Sequence, residues 1–537
     1  MDAKNREFDV IVIGAGVSGL TCAYELLQKD KSISLIVVEA NDRVGGRTLT
    51  EEVSLPDGTK EKFDLGGQWV GQTQHHVMDL LKKFNIETYP QNTKGRKVMV
   101  VGKDAKIRTY TNDIPSLGSY FGLIELELFI RKAESLAKKI SMENPYASPL
   151  AKELDNITLD SYVKSNLRTQ SARDVIQAAV RASMGTEMCR LSALFFIAYA
   201  NAAGGVMRLF LAKEGDAQEL RVKGGTQQLS TIMASKIGDN NVLLKEPVVS
   251  IEQDDTGITV TTLNGKSLRA KYLVSTMPPN CLNRVHFSPP LPEGRRMLMH
   301  NMPSGHLTKF IVTYDKSYWT EEGYSGEIVS NGGLSNIDGI SNGPLSVVYD
   351  ATTNNGVPAL VGFIAGRQGI EWAGVEAEVR KKAVLEDLAK CLGSWAKSPT
   401  SFIEKNWSDE LYAGGCPVSF NVPGVAYSFQ YLRKPEGRIF WAGTETATIW
   451  TGYISGAIQS GKRAAMEVLH NLSPNLVTEE ELQGTHYDIT SREKADTAKP
   501  NTVFRWTIAL PIVTILFAWL GISLRNKYGV VLSGKII

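Results

Sequence analysis

The stretch "FDVIVIGAGVSGLTCAYELL", beginning at Phe8, restricts the possible folds more than any other part of this chain. It opens as an apolar run, Phe8 to Ile13, turns through Gly14, Gly16 and Gly19, and continues with Leu20, Ala23, Tyr24 and Leu27 at helical spacing. A strand feeding a helix through G-x-G-x-x-G is the dinucleotide fingerprint of a doubly wound α/β sheet. The first glycine permits the tight turn, the second lets backbone approach a pyrophosphate, and the third lets helix and strand pack closely. The first amides of the helix then offer positive partial charge to phosphate. A second strand, "SISLIVVEA", follows and ends near Glu39, about twenty residues past the last glycine, where an acid accepts hydrogen bonds from a ribose.

The next residues, "ANDRVGGRT", decide between dinucleotides. Gly45 and Gly46 again permit close backbone approach, and Arg47 supplies a fixed cation suited to a pyrophosphate. No second glycine fingerprint follows, so the sequence offers no site for a nicotinamide dinucleotide. Electrons must then come from an organic substrate, which points to FAD and to an oxidase.

A chain of 537 residues is long enough for two or three domains. Its formal net charge of +2 makes no field that would recruit nucleic acid. Five scattered cysteines lack disulfide or metal spacing, and the expectation is a reducing compartment and no metal. "MDAKNREFDV" has no apolar signal core. At the other end, Trp506 to Leu524 carries no charge and is flanked by Arg505, Arg525 and Lys527. Such a segment spans a bilayer, the alternative being a buried helix interrupted by Pro511.

Blocks along the chain are similar, in order, to those of the flavin monoamine oxidase family: "FDLGGQWVGQTQ", "VKGGTQQLS", "YLVSTMPP", "KNWSDELYAGGC" and "FWAGTETATIWTGYISGAIQSGKRAA". The resemblance implies α/β plus α+β architecture. A Rossmann-type FAD-binding domain is assembled from discontinuous segments 7–84, 223–298 and 410–471. A mixed-sheet and helical substrate domain, 85–222 and 299–409, is inserted between them. A polar linker, 472–501, leads to a C-terminal transmembrane helix over 505–525. The family comparison further implies a tail anchor in the mitochondrial outer membrane with the bulk of the protein cytosolic, small-molecule amine and O2 as partners, and a homodimer as one possible assembly.

The family pattern also assigns residues. Gly14, Gly16, Ser18, Gly19, Glu39, Arg43, Gly46 and Arg47 would hold the dinucleotide, and Val248 would hold the adenine end through its backbone. A strand ending near Ala442 turns at Gly443 into a helix, which would aim the Thr444 and Glu445 amides at the cofactor, with Ile454 following. Between these segments, "EPVVSIEQDDTGITVTTLNGKSLRAKYLV" alternates like a meander turning at "LNGK". "LIELELFIRKAESLAKKI" puts Leu126, Phe129, Ile130, Ala133, Leu136, Ala137 and Ile140 on one helix face.

Lys309, in "HLTKFIVTYDKSYW", shares a strand face with Leu307 and Ile311. On the residues alone it reads as an exposed edge lysine; the family places a lysine there beneath flavin N5, assisting reoxidation by oxygen. Cys416 reads by itself as a small packing residue, whereas the resemblance joins it through sulfur to the flavin 8α carbon, beside Trp407. The family's two facing tyrosines are here Tyr453 and Pro417, so half of that cage is missing. Phe210 and Gln218 would line the substrate passage. The implied reaction is oxidative deamination, with hydride passing from the amine α-carbon to flavin N5. A polyamine or L-amino-acid oxidase, or a flavin-loaded anchored protein without turnover, remains an alternative.

Overall fold

The structure is a computed structural model that describes residues 7–483 apart from 57, 103–104, 113–116, 118, 334 and 336. The strand Glu7–Ile13 runs parallel to Leu35–Val38 on one side and to Ser267–Ser275 on the other. The full sheet runs Val242–Leu243, Leu35–Val38, Glu7–Ile13, Ser267–Ser275, Ile258–Thr262, Val248–Gln253, His286–Ser288, and Ile439–Trp441 adds parallel to Ser267–Ser275. Its parallel strands read as unbroken apolar runs because both faces are covered. Val10, Val12, Val37 and Val274 pack beneath the helices Val17–Lys29 and Ile454–Leu472. Ile11, Ile13, Ile36 and Val38 face the opposite layer with Leu282, Leu291 and Met299. The antiparallel meander falls where the alternation placed it, with Gly265 at positive φ in its "LNGK" turn.

Gly19 shows why the third glycine of the fingerprint is needed. A Cβ there would lie 2.0 Å from the Gly14 carbonyl oxygen, a backbone atom that cannot swing aside. Gly19→Ala should therefore push helix from strand and cost about 1–3 kcal/mol of stability, read as a lower unfolding midpoint of the flavin-loaded protein. An unchanged midpoint would mean that the turn is looser than this packing requires.

The second sheet has seven strands in the order Ser401–Asn406, Leu307–Thr313, Ala359–Ala365, Val347–Asp350, Tyr324–Ser330, Arg96–Val100, Ile107–Tyr110. Leu307–Thr313 has an antiparallel neighbour on each side, and all seven of its residues are buried. This corrects the edge reading of Lys309: it belongs to an interior strand, and alternation alone cannot separate a solvent face from a cavity face. The helix Tyr120–Ala137 buries Leu126, Phe129, Ala133 and Ala137 and is capped by the Ser119 side chain, which accepts from the Gly122 amide. Ile130 and Leu136 pack partly against the same core, and Ile140 is buried just past the helix end.

Among the described residues, no helix is long and apolar enough to cross a membrane. The segment expected to do so, 505–525, lies outside the described residues, as does most of the linker 472–501.

Candidate active site

Two cavities meet inside the molecule. The first, of about 390 Å³, runs past the glycine turn. Gly14 adopts φ +100, and a Cβ on it would meet Thr276 Oγ1 at 2.4 Å. The helix Val17–Lys29 starts at Gly16 without a side-chain cap, leaving its first amides free for an anion. Across the opening, a Cβ on Gly46 would meet Gly16 Cα at 3.2 Å, so two bare backbones form a narrow slot. Ser18 lines the cavity too, and its hydroxyl accepts from the Gly443 amide at 2.9 Å and pairs with Ser460 at 2.9 Å.

At the far end, Glu39 accepts from the amides of Ala15 at 2.7 Å and Asn41 at 2.8 Å. Burial pushes its pKa up against the pull of those amides. Val248 lies beside it on the cavity wall. Four expected cofactor residues do not line this cavity, Trp407 among them, which lines the second. Gly19 is packed against its own strand. Arg43 does not line the cavity; its guanidinium donates to the carbonyls of Gly46 at 3.0 Å and Thr48 at 3.3 Å and so braces the loop. Glu445 does not line it either.

Arg47 does line the cavity, but as half of an ion pair. Its guanidinium grips Glu445 through two bonds, 2.6 and 3.0 Å, and donates to the Pro417 carbonyl at 2.8 Å. Burial alone would raise the Glu445 pKa, yet the Arg47 charge holds it below the usual carboxylate range. The expected helix after Gly443 also needs correction. Thr444–Thr446 is a single 3₁₀ turn, and the helix proper starts at Ile454. Gly443 and Thr444 nonetheless line the cavity.

The second cavity, about 250 Å³, is mostly apolar and takes in Phe210, Gln218, Lys309, Trp407 and Tyr453. Lys309 is 2% exposed. Its ammonium donates to the Gly66 carbonyl at 2.9 Å and to Gln68 Oε1 at 2.5 Å. Burial pulls its pKa down to about 7, with the Asp64 charge opposing and Arg221 adding to the fall. Trp407 is buried, its indole N–H bonded to the Leu65 carbonyl at 2.8 Å.

Six residues line both cavities: Gly67, Cys416, Pro417, Gly452, Tyr453 and Ile454. Cys416 therefore stands at the junction, and burial pushes its thiol up to about 12. The two preceding glycines serve packing as well as approach. A Cβ on Gly414 would strike Asn280 Nδ2 at 2.7 Å, and one on Gly415 the Gly305 carbonyl oxygen at 2.5 Å. Tyr453, at the junction with Pro417, is held by Trp450 edge-on at 5.0 Å and by Tyr199 stacked at 6.3 Å.

Sequence reasoning missed Tyr199 and Gln68. Gln68 is buried, lines the second cavity and leaves its Nε2 without a partner. The clue lay in "GGQWVG", where a polar side chain follows two glycines in a stretch otherwise apolar.

Residues 17–469 match the family model described as flavin containing amine oxidoreductase. The chain belongs to that family. It is 36% identical over 467 residues to a flavin-containing monoamine oxidase A of Dictyostelium discoideum, covering 87% of this chain and 98% of that one. It is 34% identical over 523 residues to the flavin-containing amine oxidase A of Canis lupus familiaris, covering 97% and 95% of the two chains. Cyclohexylamine oxidase from Brevibacterium oxydans superposes with a TM-score of 0.80 at 31% identity, covering 87% of this chain and all of that one. Like its family, this amine oxidoreductase uses FAD to oxidise amines.

The first cavity of this flavin amine oxidase fits FAD on its own evidence. An uncapped helix terminus and facing glycines sit midway along it, with buried Glu39 at one end and Cys416 at the other.

Proposed function

We propose that this flavin amine oxidase deaminates a primary or secondary monoamine, with the isoalloxazine tethered to Cys416 beside Trp407 and the amine lying between Tyr453 and Pro417. The supporting observation is the shared wall: the residues common to both cavities put Cys416 and Tyr453 where a ring system ending the first cavity would meet a guest filling the second. Held by the glycine turn, Glu39 and Cys416, FAD would supply the acceptor for a hydride from the amine α-carbon and the route of its electrons to O2 as peroxide, and water would hydrolyse the resulting imine.

The residues of this chain supply position and environment. Tyr453 is fixed on two sides by Tyr199 and Trp450, so one face of its ring is presented to the amine nitrogen. Pro417 supplies an apolar wall opposite, without a π-face. The apolar lining excludes water and favours an amine that has shed its proton. Lys309, its ammonium steadied by Gly66 and Gln68, would assist reoxidation of the flavin by oxygen. Among the described residues, no arginine lines the second cavity, which disfavours an amino acid's carboxylate as the recognised group. We extend the proposal to a membrane-bound protein, the apolar stretch 506–524 with its basic flanks anchoring it in the mitochondrial outer membrane.

Peroxide release from the purified protein across an amine panel tests the reading; a flavin that no amine bleaches anaerobically defeats it. The tether has its own test. Acid precipitation should leave flavin on the wild-type polypeptide and free all of it from Cys416→Ser, and complete release from both would rule the thioether out.

A further inference from the structure

The second cavity carries a feature that amine oxidation does not use. Glu327 lines it, although the walls around it are mostly apolar. Its carboxylate is built into place: Lys97 pairs with Oε2 at 2.8 Å, and the Tyr110 hydroxyl donates to Oε1 at 3.2 Å. Lys97 and Tyr110 face each other across neighbouring strands, Arg96–Val100 and Ile107–Tyr110, and Glu327 lies on the next strand, Tyr324–Ser330. Val329, two residues on and therefore on the same strand face, also lines the cavity. None of Lys97, Tyr110 and Glu327 borders the first cavity, so this polar end is separate from the Cys416 and Tyr453 junction.

We infer that Glu327 is a specificity subsite that accepts a hydrogen bond from a neutral hydroxyl on the tail of the substrate amine. This rests on the amine-oxidation reading above. Each carboxylate oxygen already has one partner but keeps a lone pair for another donor. Lys97 has matched the charge, so a hydroxyl leaves the buried site neutral. A second ammonium, as in a diamine, would leave an uncompensated cation among apolar walls, and its desolvation would oppose binding. A tail with no donor forgoes the bond. Hydroxylated arylalkylamines should be preferred over their unsubstituted parents, and both over diamines.

The test compares 2-phenylethylamine, its 4-hydroxy analogue and 1,5-diaminopentane with the holoenzyme, by kcat/KM for peroxide release. In the wild type the hydroxy analogue should lead its parent by about tenfold, the value of one hydrogen bond to an ionic group. In Glu327→Leu that ratio should collapse toward unity. In Lys97→Met, where the carboxylate loses its matching cation, the diamine should gain on 2-phenylethylamine. Binding of 4-ethylphenol against ethylbenzene, read from perturbation of the flavin absorption, gives the same comparison without turnover. It separates the two readings: if no amine bleaches the flavin but 4-ethylphenol binds about tenfold tighter, the subsite stands and the reaction falls. Equal affinity for the two ligands in the wild type, a ratio that survives Glu327→Leu, or a wild-type preference for the diamine overturns the subsite. Should Glu327→Leu fail to fold, Glu327→Gln and the wild-type binding comparison still decide.

Discussion

Arg47→Ala should cost about 3–5 kcal/mol of stability, because it leaves the Glu445 carboxylate buried with no cation. The Glu445 side chain is 1% exposed and that of Arg47 21%, so water cannot fully replace the guanidinium. The loss should appear as a lower unfolding midpoint and as weakened flavin retention, since Arg47 also holds the Pro417 carbonyl. Removing both partners should recover part of the loss; a double variant as unstable as the sum of the singles would show that the pair is not coupled. The pH dependence has a definite sign. In the wild type the Glu445 pKa lies below its unfolded value, so its stabilising contribution is present above the unfolded pKa and disappears as pH falls through the folded one. Without Arg47, burial raises the folded pKa above the unfolded value, and the variant should instead gain stability on acidification. Denaturation midpoints measured across the acid range will show whether the two slopes are opposite.

Lys309→Met should slow reoxidation of the reduced enzyme by O2 by roughly 10²-fold, the usual effect of losing one positioned electrostatic group. Reduction by amine under anaerobic conditions should change far less, because the ammonium is held by Gly66 and Gln68 and the aliphatic stem it shares with Met keeps the cavity wall apolar. With a folded-state pKa of about 7, the ammonium is present below that pH and lost above it. The wild-type reoxidation rate should therefore fall as pH rises through about 7, and the Met variant should be flat there. Between that value and the ordinary lysine range, the unfolded chain holds a proton that the folded chain has released. Stability should thus rise with pH in that window, and the substitution should abolish the slope. A variant that reoxidises at the wild-type rate with the wild-type pH profile removes Lys309 from this role.

The nucleotide half was readable because its rules are local. A strand, three glycines, a helix and an acid within some thirty residues leave few alternatives, while alternation located the meander and helical spacing the face of the helix Tyr120–Ala137. Long-range pairing was not readable. Arg47 and Glu445 were both expected to serve the cofactor directly, and nothing in either neighbourhood says that residues 398 positions apart neutralise each other. Alternation put Lys309 on the right strand face but could not say that strands flank it on both sides. Tyr199 sits in a helix whose residues are nearly all buried, so its one contact with Tyr453 leaves no mark on the pattern. Gln68 leaves little signal in the pattern either, because an amide among glycines reads as a turn.

The helix Ile454–Leu472 lies so tightly on Val17–Lys29 that a Cβ on Gly461 would come 2.3 Å from the Ser18 carbonyl oxygen. On the ribosome, the apolar flank of that first helix therefore waits for nearly the entire described polypeptide before its cover arrives. A nascent chain halted ahead of Ile454 would leave the Ser18, Thr21 and Cys22 flank of that helix uncovered, along with an N-terminal strand newly joined to Ser267–Ser275, the type of half-built species that clumps rather than idles. Early stop codons in this gene should accordingly yield insoluble fragments and no working nucleotide half.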